Sequence, residues 1–162
     1  MPMPGHLHEE HTGELRIRLW ARSLAELFEE AARALAGAMG GGPREGLTEL
    51  PPDPDEIFEE RPPEAPEPSV AASPSIERIS LEAHDREALL VDWLNELIFR
   101  AETGRKTFPE ARVEHIDDRS LTAEITGRPA PLGRTFVKAA TFHGLHIEEI
   151  PGGLSASVLL DI

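Results

Sequence analysis

Between Pro43 and Ser75 the chain carries nine of its 15 prolines and nine acidic residues against two basic ones, with Phe58 as the single aromatic. Proline removes a backbone donor, and like charges resist collapse. A stretch of this kind cannot bury enough apolar surface to offset the entropy of ordering it. The fold must therefore be built from the residues on either side, with 43–75 read as an extended, disordered loop inserted into one domain. Residues 11–162 form that domain, and residues 1–10 read as a flexible tail. With 162 residues, 40% of them hydrophobic, there is material for one core. Aromatics are only 5% and Tyr is absent, so the core must be Leu, Ile, Val and Ala.

Charge narrows the function. A formal net charge of −14 argues against direct nucleic-acid binding, which needs Lys and Arg patches to neutralise phosphate. It equally disfavours an anionic membrane surface and leaves open a basic partner, a bound cation or solubility alone. The absence of Cys excludes disulfide scaffolds, thiolate zinc sites and thiol nucleophiles. No apolar run approaches a membrane span and the start is polar, so a cytoplasmic protein is expected.

The body has clear periodicities. Glu14–Trp20 alternates Leu15, Ile17 and Leu19 with Arg16 and Arg18, the pattern of a half-buried strand. Ser23 and Glu26 form a capping box for a helix with Leu24, Leu27, Phe28, Ala31 and Leu35 on one stripe, stopped by Gly40–Gly42. Ser75–Glu82 reads as a strand. Asp85 caps a second helix running to about Arg100, with Leu90, Trp93, Leu94 and Leu97 on its apolar face and Gly104 at its stop. Strands follow at Arg112–Ile116, Leu121–Thr126, Phe136–His143 with Gly144–Ile150 as its extension or a separate strand, and Leu154–Ile162. The hairpins predict an α+β fold, a mainly antiparallel sheet with two helices packed on one face.

Several constellations are candidates for chemistry. His6, His8 and His11 have metal-compatible spacing but fall in or beside the tail, and no H-E-x-x-H motif is present. Asp92, Asn95 and Glu96 read as the wet face of the second helix. Lys138 on a strand either pairs with a carboxylate or snorkels to solvent, while Thr141 and His143 share the opposite face. More pointed are Glu14, opening the first strand, and Asp161, nearly closing the last. If these strands are antiparallel neighbours, both carboxylates converge at one tip beside the terminal carboxylate of Ile162. Such oxygens suit Ca²⁺ or another hard divalent ion, or stand as two solvated edge carboxylates.

Three segments together resemble the archease family. HTGELRIRLWARSLAELFEEAARAL resembles the family's H-T-A-D-I-G opening with its strand and helix. LEAHDREALLVDWLNELIF resembles its second helix, and VKAATFHGLHIEEIPGGLSASVLLDI resembles its C-terminal signature. The resemblance implies a strand–helix–strand–strand core with an embedded smaller module. It also implies a non-enzymatic protein cofactor of RtcB-type RNA ligases, which join RNA ends in tRNA splicing and RNA repair using GTP and Mn²⁺. The cofactor promotes guanylylation of the ligase and restores multiple turnover. The family's metal site falls on Glu14, Asp161 and Ile162, with His11, Lys138 and His143 as further candidate functional residues. Two departures stand out: Glu14 replaces the family's aspartate, and Arg16 replaces its glycine. The alternatives are an independent metal-dependent phosphoesterase, and a general chaperone or scaffold for RNA-modifying enzymes.

Overall fold

A computed structural model of the protein describes residues 4–11, 13–41, 75–130 and 137–162. The proline-rich loop, apart from Ser75, lies outside the described residues. Seven strands and two helices occur in the order β1 (Gly5–His11), β2 (Glu14–Ala21), α1 (Leu24–Ala36), β3 (Ser75–Glu82), α2 (Arg86–Gly104), β4 (Lys106–Ile116), β5 (Ser120–Pro129), β6 (Ala139–Ile150) and β7 (Gly153–Asp161). The α+β class holds, and every strand pairing is antiparallel. The strands divide into two sheets, ordered β1-β2-β7-β6 and β3-β5-β4. The smaller sheet comes entirely from residues between β2 and β6, an embedded unit in the chain.

Local rules set the helix ends. The Ser23 hydroxyl accepts the Glu26 N–H at 3.2 Å, and the Glu26 carboxylate reaches back to the Arg22 N–H at 3.1 Å. α1 closes on a single π turn over Gly37–Gly41. Asp85 caps α2 by accepting the Ala88 N–H at 2.8 Å. Gly104 is not the stop itself: it is the last helical residue, and Arg105 takes the left-handed position at φ 52°.

One continuous core joins the two sheets through the helices. α1 packs on β2 and β4, while α2 packs on β6, β4 and β3. Trp93 is fully buried at their crossing, and its indole N–H donates to the Phe28 carbonyl at 2.9 Å. Leu15, Ile17 and Leu19 of β2 and Val158 and Leu160 of β7 cover the helices from one side. Ile79, Leu121, Ala123 and Ile125 are the contribution of the small sheet.

Residues 5–10 of the segment read as a flexible tail belong to strand β1, paired with β2 from Gly5↔Trp20 to His11↔Glu14, and residues 1–3 lie outside the described residues. The reason lies on α1. Glu30 is buried there at 2% exposure, bonded to His6 Nδ1 at 2.5 Å and to Arg33 at 2.6 Å, and His8 Nε2 meets the Ala34 carbonyl at 2.9 Å. The inward face of β1 is therefore polar, and its partners are polar groups of the helix.

A candidate metal centre at the sheet tip

The antiparallel register of β2 and β7 places Glu14 directly opposite Asp161. Leu15 and Leu160 point inward and are buried, so both carboxylates fall on the outer face, where they are exposed. Directly opposed residues hold their Cβ atoms roughly 4.5–5.5 Å apart. Among the described residues no cation pairs with either carboxylate. Two like charges so placed repel unless solvent or a cation intervenes.

The backbone fixes the tip on both sides. The Ile162 N–H donates to the Gly13 carbonyl at 3.2 Å, and the Lys138 N–H donates to the Asp161 carbonyl at 2.7 Å. Ala139 pairs with Asp161 across β6 and β7. Glu14, Asp161 and Ile162 are therefore brought together as expected from strand order. Lys138 reaches the tip through its backbone, with its side chain exposed. His11 stands opposite Glu14 in the β1–β2 register. Among the described residues no set of three His, Asp or Glu side chains forms a metal cage. The two carboxylates could supply some of the oxygens a hard divalent ion takes, with the remaining positions left to main-chain oxygens, water or a partner's groups.

His143 does not join the tip. Pairing of β6 with β7 runs from Thr141↔Leu159 directly to His146↔Ser157, so Phe142, His143, Gly144 and Leu145 stand opposite Val158 alone. Gly144 has φ 68°, a conformation that lets the strand fold out and return. This bulge leaves Phe142 57% exposed and His143 exposed. An unbroken strand through 139–150 is what period-two reading suggests, and the glycine between His143 and Leu145 is the signal against it.

Sequence reasoning also missed what holds β6 against α2. Asn95 is not on a wet face: its amide oxygen accepts the Ala140 N–H at 2.8 Å and its NH₂ donates to the Ala140 carbonyl at 3.4 Å. Glu87 and Arg86 bond the Ile147 N–H and carbonyl at 3.4 Å each. The bulge is thus gripped at both ends by α2, and Ala140 adjoins the residue opposite Asp161. Glu96 pairs with Arg100 at 2.8 Å rather than facing solvent alone.

The chain and its fold have known relatives. The family model for the archease protein family matches residues 66–162. A protein archease of Methanosarcina mazei is 29% identical, with 100% of both chains covered. The solution structure of a Methanobacterium thermoautotrophicum protein superposes with a TM-score of 0.60 at 28% identity, covering 98% of this chain and 99% of that one. A crystal structure from Thermotoga maritima, described as an archease and possible chaperone, shares the fold with a TM-score of 0.58 at 19% identity, covering 100% of this chain and 98% of that one. With the family model spanning more than half its length, the chain belongs to the archease family.

Proposed function

We propose that this protein is a cytoplasmic, non-enzymatic accessory factor that activates an RtcB-type RNA ligase through a divalent-metal-binding tip. The observation that carries the reading is the register pair Glu14↔Asp161: two exposed carboxylates opposite one another where the sheet ends, with no cationic partner among the described residues. Family membership supports the role, and the acidic chain, at −14, suits a basic enzyme partner. Glu14, Asp161 and Ile162 would hold Ca²⁺ or a similar hard ion weakly, because the two side chains offer few ligands of their own. Held by Glu14, Asp161 and Ile162, such an ion would supply positive charge able to attract phosphate oxygens of the partner's substrate. The chain's own residues orient that charge: the Lys138 and Ile162 backbone bonds hold Asp161 in place, and Asn95 fixes the start of β6 beside it. Glu14 reaches one methylene further than the family's aspartate, so its oxygens sit further out from the sheet.

The test measures guanylylated ligase formed per minute with GTP and Mn²⁺. Asp161→Ala should abolish stimulation while leaving the thermal midpoint nearly unchanged, since an exposed edge carboxylate contributes little to stability. Glu14→Asp should keep or raise stimulation. Full stimulation by a folded Asp161→Ala protein would sink the tip mechanism. Hydrolysis of simple phosphate esters by the protein alone would favour the phosphoesterase alternative.

A further inference from the structure

The outer face of the four-stranded sheet carries a second feature. Its cross-strand rows run Glu9–Arg16–Leu159–Thr141, then Leu7–Arg18–Ser157–His146, then Gly5–Trp20–Ser155–Glu148, moving away from the tip. The bulge at 142–145 brings His143 and Gly144 into the wall over these rows, closing a groove of about 580 Å³. That volume suits a small organic ligand.

The groove gathers cationic and hydrogen-bonding groups in a chain whose net charge is −14. Arg16 and Arg18 lie two residues apart on one strand face, His146 stands in the Arg18 row, and Ser157 places a hydroxyl between them. Among the described residues no carboxylate pairs with the Arg16 guanidinium. Among the described residues Arg18 is engaged by Glu9 alone, at 3.2 Å with both side chains largely exposed, a pair that solvent screening keeps weak. Two guanidinium forks side by side match the geometry of a phosphate. Beyond them, Trp20 lines the groove. Its ring lies over Gly5, where an added Cβ would come within 2.5 Å of it, and Leu7 at 56% exposure lies alongside. Glu148 at the far end is an acceptor for hydroxyl or amino groups and repels a second phosphate.

We propose that this groove binds a small phosphate ester carrying a planar ring, of the nucleoside phosphate class. The phosphate sits against Arg16 and Arg18, with His146 and Ser157 donating, and the ring lies toward Trp20 and Leu7. The order along the sheet sets the orientation, because the cations come first and the aromatic surface follows. The chain's overall acidity selects a compact ligand: a long polyanion meets repulsion from every side of the protein, while a single phosphate group feels chiefly the local arginines. The site stands independently of the ligase reading and of any metal at the tip.

The test titrates AMP into the protein in metal-free buffer with chelator present, following indole fluorescence and amide chemical shifts. Saturable binding is expected, with shifts at Arg16–Trp20, His146 and Ser155–Ser157. The Arg16→Gln/Arg18→Gln double variant should weaken binding by about tenfold or more, since charge-assisted bonds to phosphate carry the affinity. Spectra unchanged in the helices and the small sheet would show that this variant is folded. Adenosine, which lacks the phosphate, should bind weakly if at all. Three results would overturn the assignment: no saturable binding at millimolar AMP, equal affinity in the folded double variant, or equal affinity for adenosine. Tighter, arginine-dependent binding of an RNA oligonucleotide would overturn the choice of a small ligand.

Discussion

The two sheets handle surface charge in opposite ways. In β3-β5-β4 the exposed charges complement one another: Glu124 stands opposite Arg78 on one side and Arg112 on the other, Arg78 also pairs with Glu114, and Arg128 pairs with Glu110 at 2.5 Å. In β1-β2-β7-β6 the outer face places Glu14 against Asp161, and a single carboxylate, Glu9, stands opposite Arg16 while pairing with Arg18. Cross-strand pairs of opposite sign stabilise a sheet, and like charges directly opposed do the reverse. One sheet is consistent at every level, and the other departs from consistency where a ligand would restore it. Unpaired charge on a regular scaffold is therefore informative only against a neighbour whose charges are paired.

The largest expected effect breaks both regions at once. Trp93→Ala should cost roughly 3–5 kcal/mol in a urea melt, because the indole is fully buried between the helices that both sheets share, and its N–H bond to Phe28 is lost. If the sheets instead unfold separately in the variant, the melt should show two transitions rather than one loss.

Charge reversal sharpens the contrast. Glu124→Lys exchanges two favourable cross-strand pairs for two like-charge pairs, and should destabilise by about 1–2 kcal/mol. Glu14→Lys replaces a like-charge pair by an opposite one, and should stabilise by about 0.2–1 kcal/mol while ending any metal binding. The two melts should move in opposite directions. A loss of stability in Glu14→Lys would mean that the tip carboxylate already has a stabilising partner.

The smallest effect is a pH dependence confined to the small sheet. Asp117, in the turn between β4 and β5, has its carboxyl held down to about 2 from an ordinary 3.8, first by the backbone N–H of Arg119, then by the hydroxyl and N–H of Ser120. A carboxyl with a depressed folded value favours the fold above its unfolded value, and that contribution disappears as pH falls through the folded one. Acid titration of the wild-type protein between about pH 4 and pH 2 should therefore show a loss of stability that Asp117→Asn reduces.

Much of this was legible in the sequence. The alternation in Glu14–Trp20 and Leu154–Ile162 gave strands β2 and β7, and their placement at opposite ends of the domain gave the meeting of Glu14 with Asp161. Ser23 and Asp85 marked both helix starts because capping is local chemistry. What escaped depends on tertiary hydrogen bonds. β1 has no apolar face to read, since His6 and His8 face Glu30 and the Ala34 carbonyl on α1. Asn95 looks like an ordinary polar helix residue until β6 supplies the backbone it binds. The division into two sheets is likewise absent from any single strand's pattern.

The grip of α2 on β6 has a parallel in α1, where Glu29 accepts the Val113 N–H of β4 at 3.0 Å. In both cases a helix side chain occupies backbone groups that an edge strand would otherwise show to another chain. β4 adds Pro109 at a break in its register, which further spoils it as a template. A protein with this much strand needs such protection against self-association during synthesis and storage. Asn95→Ala should therefore reveal itself less in the melting curve than in turbidity on prolonged incubation at high concentration, as an edge stripped of its cover recruits the same edge of its neighbours.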